Sequence, residues 1–446
     1  MPAHALTDSG ATVAFVDRER LDRLHDALPS CRAVRRIYLT RSPGNRYDDS
    51  RVTSLDSVIG RSSGWGELPY LPMPDVRLAP EDDVTIFYTS GTTGTPKGAV
   101  GTHRNACTVA FAAGFEPARS AVRRGDPIPI PSTDPDAPPT CILLSVPLFH
   151  VTGSLVLLNA AMLAGDKVAL MPRWDPGEAL ELIEREKCTT IGGVPTIAWQ
   201  ILQHPDRHRF DLTSIETVNY GGAPAPATLV DRITDTWPHA VPAQGWGMTE
   251  TSGTFTSHGG EDYLTHPTSC GLALPTGEMR IVDDTGHVLL PPGHIGELWV
   301  RGANVVRGYW NNPAATATTF HDGWLRTGDL ARIDRDGYLH IVDRKKDMII
   351  RGGENIYSTE VEAALHTHPA VLDAALIGLP HPTLGEEPAA VVHLIPGAQV
   401  TESELRTHLI PRLAKFKIPV RIRFHPHILP RNPNGKILKP TLHDLF

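Results

Sequence analysis

The sequence predicts an α/β protein of more than one domain, and three observations carry that expectation. The chain has 446 residues, more than one ordinary hydrophobic core accommodates. After residue 140, short apolar runs alternate with helix-start signals, as in a mostly parallel sheet covered by helices. From Arg280 onward, turn sequences such as Asp284-Thr285-Gly286 and Asp336-Gly337 predict antiparallel hairpins, and roughly the last hundred residues suggest a small α+β unit.

Individual elements follow in chain order. Thr12 to Val16 is a short β-branched and aromatic run, expected to be a strand. Val84 to Tyr88 is another, followed at once by the Gly/Ser/Thr-rich stretch Thr89–Gly98. Residues 116–140 carry seven prolines and are expected to form a surface insertion or mobile loop. Gly153 to Ala164 is the most apolar stretch, but Asn159 interrupts it. It falls short of the roughly 18 apolar residues a membrane span needs, so a buried helix and no transmembrane segment are expected. Asp175-Pro176-Gly177-Glu178 has an N-cap, a proline at the first helical position and an early carboxylate, so a helix begins there. Thr359-x-x-Glu362 and Thr401-x-x-Glu404 suggest capping boxes for two further helices.

Bulk composition narrows the function. Apolar residues at 41% and charged residues at 21% are globular values. A net charge of −8 argues against a nucleic acid or an anionic membrane surface as partner. Five scattered cysteines without a CxxC pair suit a reducing, cytoplasmic location, and no histidine or cysteine cluster has zinc spacing. The first ten residues lack the basic and apolar regions of a signal peptide.

The stretch Tyr88–Gly98 has the chemistry of a phosphate loop. Glycines allow close backbone approach, and amides and hydroxyls donate to phosphate oxygens. It is not a Walker A loop, because Pro96 precedes Lys97 and Gly98 follows it. Further motifs follow in order: Pro147–Gly153 around His150, Tyr220–Pro224, Gln244–Thr251, Gly296–Leu298, Leu325–Leu330, Val342–Asp347 and Pro433–Lys436. This ordered set resembles the adenylate-forming superfamily of acyl-CoA synthetases, adenylation domains and luciferases. The resemblance covers nearly the whole chain, and Ile341–Glu362 is most similar to the acyl-CoA ligases.

The resemblance implies a large N-terminal AMP-binding domain over 1–343, with stacked sheet–helix layers and a small β-barrel-like part. It implies a small mobile α+β C-terminal lid over 344–446. It also implies an ATP-dependent acyl-CoA synthetase: a carboxylate attacks the α-phosphorus, pyrophosphate leaves, and CoA thiol then displaces AMP. Thr89, Ser90, Gly91, Thr92, Thr93, Gly94 and Lys97 would wrap the β- and γ-phosphates. Gly221, Gly222 and Ala223 would line the adenine slot, with Trp246 as an aromatic surface nearby. Thr249 would bind the α-phosphate and Glu250 would hold Mg²⁺, which prefers oxygen ligands. Asp329 would accept the ribose hydroxyls beside Arg344. Lys436 would bridge carboxylate and α-phosphate. Lys346 would be the hinge, and Gly352 and Gly353 would pass the pantetheine arm of coenzyme A. His150 would orient substrate or gate the pocket.

Taken singly, these residues have ordinary readings too: Trp246 as core, Gly352-Gly353 as a plain turn, Lys436 as a solvated lysine. His150 stands where amino-acid-activating relatives carry an Asp, and Gly247 where acetyl-activating relatives carry a Trp. The expected substrate is therefore a medium- or long-chain fatty acid or a bulky ring-bearing acid. A carrier-protein thiol is the alternative acceptor, and a homo-oligomer stays open. Ala5–Ala11 resembles a stretch normally inside the N-terminal domain. The first elements of that domain are thus expected to be missing, from a mis-called start or in a shortened, inactive paralogue that binds nucleotide only. Uncovered apolar surface would follow.

Overall fold

The computed structural model describes residues 2–41, 49–89, 95–129, 140–222, 227–432 and 435–446. Their contacts separate two compact units, Met1–His103 with Val306–Thr318, and Arg104–Val305 with Thr319–Phe446.

In the first unit, strands Val13–Val16, Arg36–Leu39 and Val52–Ser54 form a parallel three-stranded sheet. Asp17 caps the helix Arg18–Leu24 by accepting from the Arg20 amide, and the helix buries Leu21 and Leu24 with Ile37 and Leu39. Apolar side chains also stand in solvent here, with Tyr70 93% and Met73 87% exposed. The expected strand before the glycine-rich stretch is present as Asp83–Thr89. It pairs antiparallel with Lys97–Thr102.

The second unit contains three sheets among the described residues. In the first, five strands run parallel in the order Val241–Met248, Thr217–Gly221, Thr190–Gly193, Cys141–Leu144, Lys167–Leu170. Two antiparallel strands, Gly253–Gly259 and Leu272–Ala273, extend the edge beside Val241–Met248. The helices Pro176–Glu186 and Pro195–Gln203 cover it through Leu180, Ile183 and Ile201, all fully buried. Asp175 caps the first as expected, accepting from the Gly177 and Glu178 amides. The second sheet is antiparallel and holds Gly277–Val282, Gly296–Gly302, Phe320–His321, Trp324–Ile333 and Leu339–Arg344, with Asp336-Gly337 in the last hairpin. Its inner face encloses Phe255, Leu298 and Leu325 in the barrel-like core. The third sheet, with Gly385–Leu394 at its centre and Val371–His381 paired along it, packs on the helices Ser358–His366 and Glu402–Leu409.

Three expectations need correction. Residues 115–124 form a helix rather than an insertion, because Pro117 falls in its first turn, where a missing N–H costs nothing, and Gly125 ends it in the left-handed region. Residues 130–139 lie outside the described residues. The apolar stretch is only half-buried: it begins as a π-helical turn, Thr152–Leu158, continues as Asn159–Ala164, and exposes Met162 and Leu163. The capping box is present at Thr401/Glu404 but absent at Thr359/Glu362. There Thr359 Oγ1 donates to the Val342 carbonyl and Glu362 pairs with Lys439 instead. On the strand Gly253–Gly259, His258 is fully buried against the rings of Tyr263 and Tyr338, 4.6 and 6.2 Å away.

Candidate active site

The antiparallel sheet places the two residues expected at the ribose side by side. Asp329 and Arg344 are register partners on adjacent strands, and Arg344 Nε lies 3.2 Å from Asp329 Oδ1. Trp246 Nε1 donates to Asp329 Oδ2 at 2.9 Å. The Trp246 ring itself lies in the barrel core, edge-on to Phe255. This revises its expected role: the indole orients the carboxylate through its polar edge and offers no free aromatic face. Asp329 is 4% exposed, and both its oxygens already have donors, so its orientation is fixed before any ribose arrives.

The glycines nearby divide into two kinds. A Cβ on Gly221 would meet the Gly245 carbonyl at 2.8 Å, and one on Gly245 would meet the Thr256 carbonyl at 2.6 Å. Their smallness therefore serves strand-to-strand approach. Gly222 differs: φ is +75°, and a Cβ there would meet open space. Ala223 lies outside the described residues. At Gly247 the register shifts, and a Cβ would sit 1.8 Å from the Gly253 carbonyl. The glycine at 247 is thus required by the close approach of the adjoining strand. A tryptophan there would first displace the adjoining strand, so Gly247→Trp reports on folding before it reports on acid size.

Thr249, Glu250 and Thr251 form one helical turn directly after the strand Val241–Met248. Thr251 Oγ1 accepts from the Met248 amide at 2.9 Å, and Asn304 Nδ2 donates to the Thr251 and Thr254 carbonyls at 3.1 and 3.0 Å. Glu250 is buried, a hard oxygen donor of the type Mg²⁺ takes. His150 sits in a tight turn with its amide on the Pro147 carbonyl, and its Nδ1 accepts from the Thr152 amide at 3.2 Å. The ring proton is therefore on Nε2. Burial pushes the imidazole below its usual pKa, so it is neutral at pH 7. Gly153 follows because a Cβ there would lie 2.4 Å from the Pro147 carbonyl.

Lys436 comes from the far end of the sequence into this same region. Gly435, with φ +81°, brings the backbone to Val194, 3.2 Å from where a Cβ would be, and Asn432 Oδ1 accepts from the Lys436 amide at 2.9 Å. Desolvation, then Arg344 and Lys346, lower the ammonium pKa to about 8, while Asp347 and Asp329 oppose them. The proposed bridging lysine thus lies in the electrostatic field of the ribose clamp. Lys346 occupies an exposed turn between the strands Leu339–Arg344 and Ile349–Arg351. Gly352 and Gly353, at φ +59° and +89°, form the two-residue turn of an exposed hairpin, so the plain-turn reading accounts for both glycines.

In the first unit, Thr89 and Lys97 are register partners on the two antiparallel strands, and Lys97 Nζ lies 5.1 Å from the Tyr309 ring centroid. Ser90, Gly91, Thr92, Thr93 and Gly94 lie outside the described residues. Two supporting residues carried no assigned role in the sequence. Glu297, 3% exposed, binds Arg326 and Lys345 at 3.2 and 3.5 Å and so braces the strand and the turn that flank Asp329. Asn304 has no local sequence signal at all.

Family models match most of the chain. Residues 2–310 match the AMP-binding enzyme family, and 360–436 match the AMP-binding enzyme C-terminal domain. A feruloyl-CoA synthase from Amycolatopsis sp is 38% identical over 443 residues, 99% of this chain and 81% of that protein. A long-chain-fatty-acid–CoA ligase from Bacillus subtilis (strain 168) is 35% identical over 97% of this chain and 73% of its own length. The solved amide bond synthetase McbA from Marinactinospora thermotolerans superposes with TM-score 0.81 at 30% identity, over 100% of this chain and 82% of that one. The chain belongs to the AMP-binding enzyme family, in the acyl-CoA ligase branch of the adenylate-forming superfamily. Its class is that of the AMP-forming acid–thiol ligases, which use ATP, Mg²⁺ and CoA.

Proposed function

We propose that the protein activates a medium- or long-chain fatty acid or a bulky ring-bearing acid as its acyl-adenylate and passes the acyl group to CoA. The observation that carries this reading is the seating of the Lys436 loop against Val194, which puts the lysine within the electrostatic reach of the Asp329–Arg344 clamp. A ribose carboxylate alone fits any nucleotide site. A partly desolvated lysine beside it supplies positive charge where a carboxylate meets an α-phosphate. Glu250 would hold Mg²⁺, whose charge offsets the polyphosphate. Thr249 would bind the α-phosphate, and Gly222 leaves room beside the base. The relatives named for feruloyl and long-chain acids support both halves of the substrate class. Residues 1–343 would form the AMP-binding domain and 344–446 a lid that pivots at Lys346. Gly352 and Gly353 would border the path of the CoA thiol.

The test is mass spectrometry of the purified chain with ATP, Mg²⁺, CoA and a mixture of carboxylic acids, beside a parallel reaction with a phosphopantetheinylated carrier protein. Acyl-CoA that forms with the wild type and collapses in Lys436→Ala supports the ligase and names the acid. Acyl-carrier product without acyl-CoA assigns the acceptor to a protein thiol. ATP binding without pyrophosphate release, from folded protein, overturns the reading.

A further inference from the structure

Lys346 lies between Asp343 and Ser358, and three hydrogen bonds bridge that interval. Asp343 Oδ2 accepts from the Ser358 amide, Asp343 Oδ1 accepts from Ser358 Oγ at 3.0 Å, and Thr359 Oγ1 donates to the Val342 carbonyl. Asp343 is 2% exposed and Ser358 is fully buried. The carboxylate therefore sits at the N-terminus of the helix Ser358–His366, where a negative charge is favoured. It does the work of a capping side chain from a strand on the other side of the turn.

A second group of contacts continues from the same serine. Lys439 Nζ donates to Ser358 Oγ at 2.8 Å and pairs with Glu362 at 2.8 Å, and Glu362 also accepts from the Leu376 amide at 2.8 Å. Lys439 stands three residues beyond Lys436. All members of this second group follow Lys346 in the chain, whereas the first three bonds cross it.

We infer that Asp343, together with the Val342 carbonyl, is a positioning latch for adenylation: it holds the lid in the orientation that seats the Gly435–Lys436 loop against Val194. The inference rests on the proposed pivot at Lys346. A rotation there moves Ser358 and Thr359 as one body and leaves Val342 and Asp343 on the other. The three crossing bonds must break, while Lys439, Ser358 and Glu362 travel together and keep theirs. The latch therefore favours one of the two half-reactions, and its strength sets how readily the enzyme leaves it.

The two half-reactions are measured separately in wild type, Asp343→Asn, Thr359→Val and Lys436→Ala. Acid-dependent ATP–pyrophosphate exchange, with octanoate and ferulate as probe acids, reads adenylation. Thioester formation from the purified acyl-adenylate and CoA reads the second step. The expected result for both latch variants is about a tenfold fall in exchange with thioester formation within about twofold of wild type. Equal loss in both steps marks a merely structural role and overturns the latch, as does no change in either. If Lys436→Ala leaves exchange intact, the underlying reading fails, whatever the latch variants do. An acid-independent readout accompanies these: the distance between nitroxide labels introduced at Arg185 and Arg412. Both positions are exposed, one on each side of the pivot. A second, longer or shorter population that grows in Asp343→Asn and Thr359→Val supports the latch, and unchanged distributions overturn it even if neither probe acid turns over.

Discussion

The ribose clamp and the lysine loop meet in one region but are built on opposite principles. Asp329 lies within a strand, paired in register with Arg344, and each of its oxygens has a fixed donor. Lys436 lies in a loop held by the Asn432 side chain and by Arg431, which donates to the Gly435 carbonyl at 2.6 Å. Its own charge is disfavoured by desolvation and by Arg344 and Lys346. In the proposed reaction the nucleotide would meet preorganised groups, and the carboxylate would meet a group whose charge its surroundings disfavour. Electrostatic preorganisation and mobility are thus assigned to different elements, the first to sheet and the second to loop.

Removing the lysine is the strongest way to break that contrast. Lys436→Ala is expected to lower adenylation on the order of 10²–10³-fold with little change in ATP affinity, read by pyrophosphate exchange against nucleotide titration. A comparable loss of ATP binding would place the lysine in the clamp rather than the chemistry. Asp329→Ala should act the other way, raising the ATP KM by about 10–100-fold, because charged hydrogen bonds are lost and Trp246 and Arg344 are left without their shared acceptor. Trp246→Phe keeps the ring in the core and removes only the donor. It should cost about 0.5–1.5 kcal/mol in nucleotide affinity with folding stability nearly unchanged, checked by isothermal titration and thermal melts.

The pH profile sharpens the same comparison. With the free-enzyme Lys436 at about pKa 8, the ammonium form predominates at pH 7 and disappears as pH rises. The kcat/KM for adenylation should therefore fall above pH 8, and this limb should vanish in Lys436→Arg, whose guanidinium stays charged. The smallest effect is expected from Glu297→Gln. It keeps a polar group against Arg326 and Lys345 and should change the ATP KM only a few-fold.

Much of this site was legible in the sequence because its motifs are local. The Thr249–Glu250 turn, the Asp329–Arg344 pair and the Gly435–Lys436 bend each sit within a short signature, and the strand–helix alternation after residue 140 is the parallel sheet. What escaped was whatever depends on partners distant in the chain. Thr359 and Glu362 have capping-box spacing, yet Val342 and Lys439 compete successfully for their side chains. Trp246 carries a family motif, but only the folded barrel shows that its ring is core while its Nε1 edge meets Asp329. Asp343 was part of a quoted motif without a role, since its partner Ser358 lies across the Lys346 turn. Of the seven prolines that point to a loop over 116–140, Pro117 lies in the first turn of a helix, where proline is tolerated.

The buried imidazole of His258 makes the fold sensitive to acid. Desolvation holds its pKa down at about 4, with nearby Arg119 acting in the same direction, against an unfolded value of 6.5. Between those two values the unfolded chain takes up a proton that the folded chain refuses, so each step toward acid favours unfolding. Across the whole interval the loss is about 3 kcal/mol, a large share of a typical domain's stability. Acid precipitation or a low-pH elution step should therefore inactivate the enzyme through its scaffold, and His258→Gln should soften that sensitivity without touching adenylation at neutral pH. Alkali would act by another route, silencing Lys436 in a protein that is still folded.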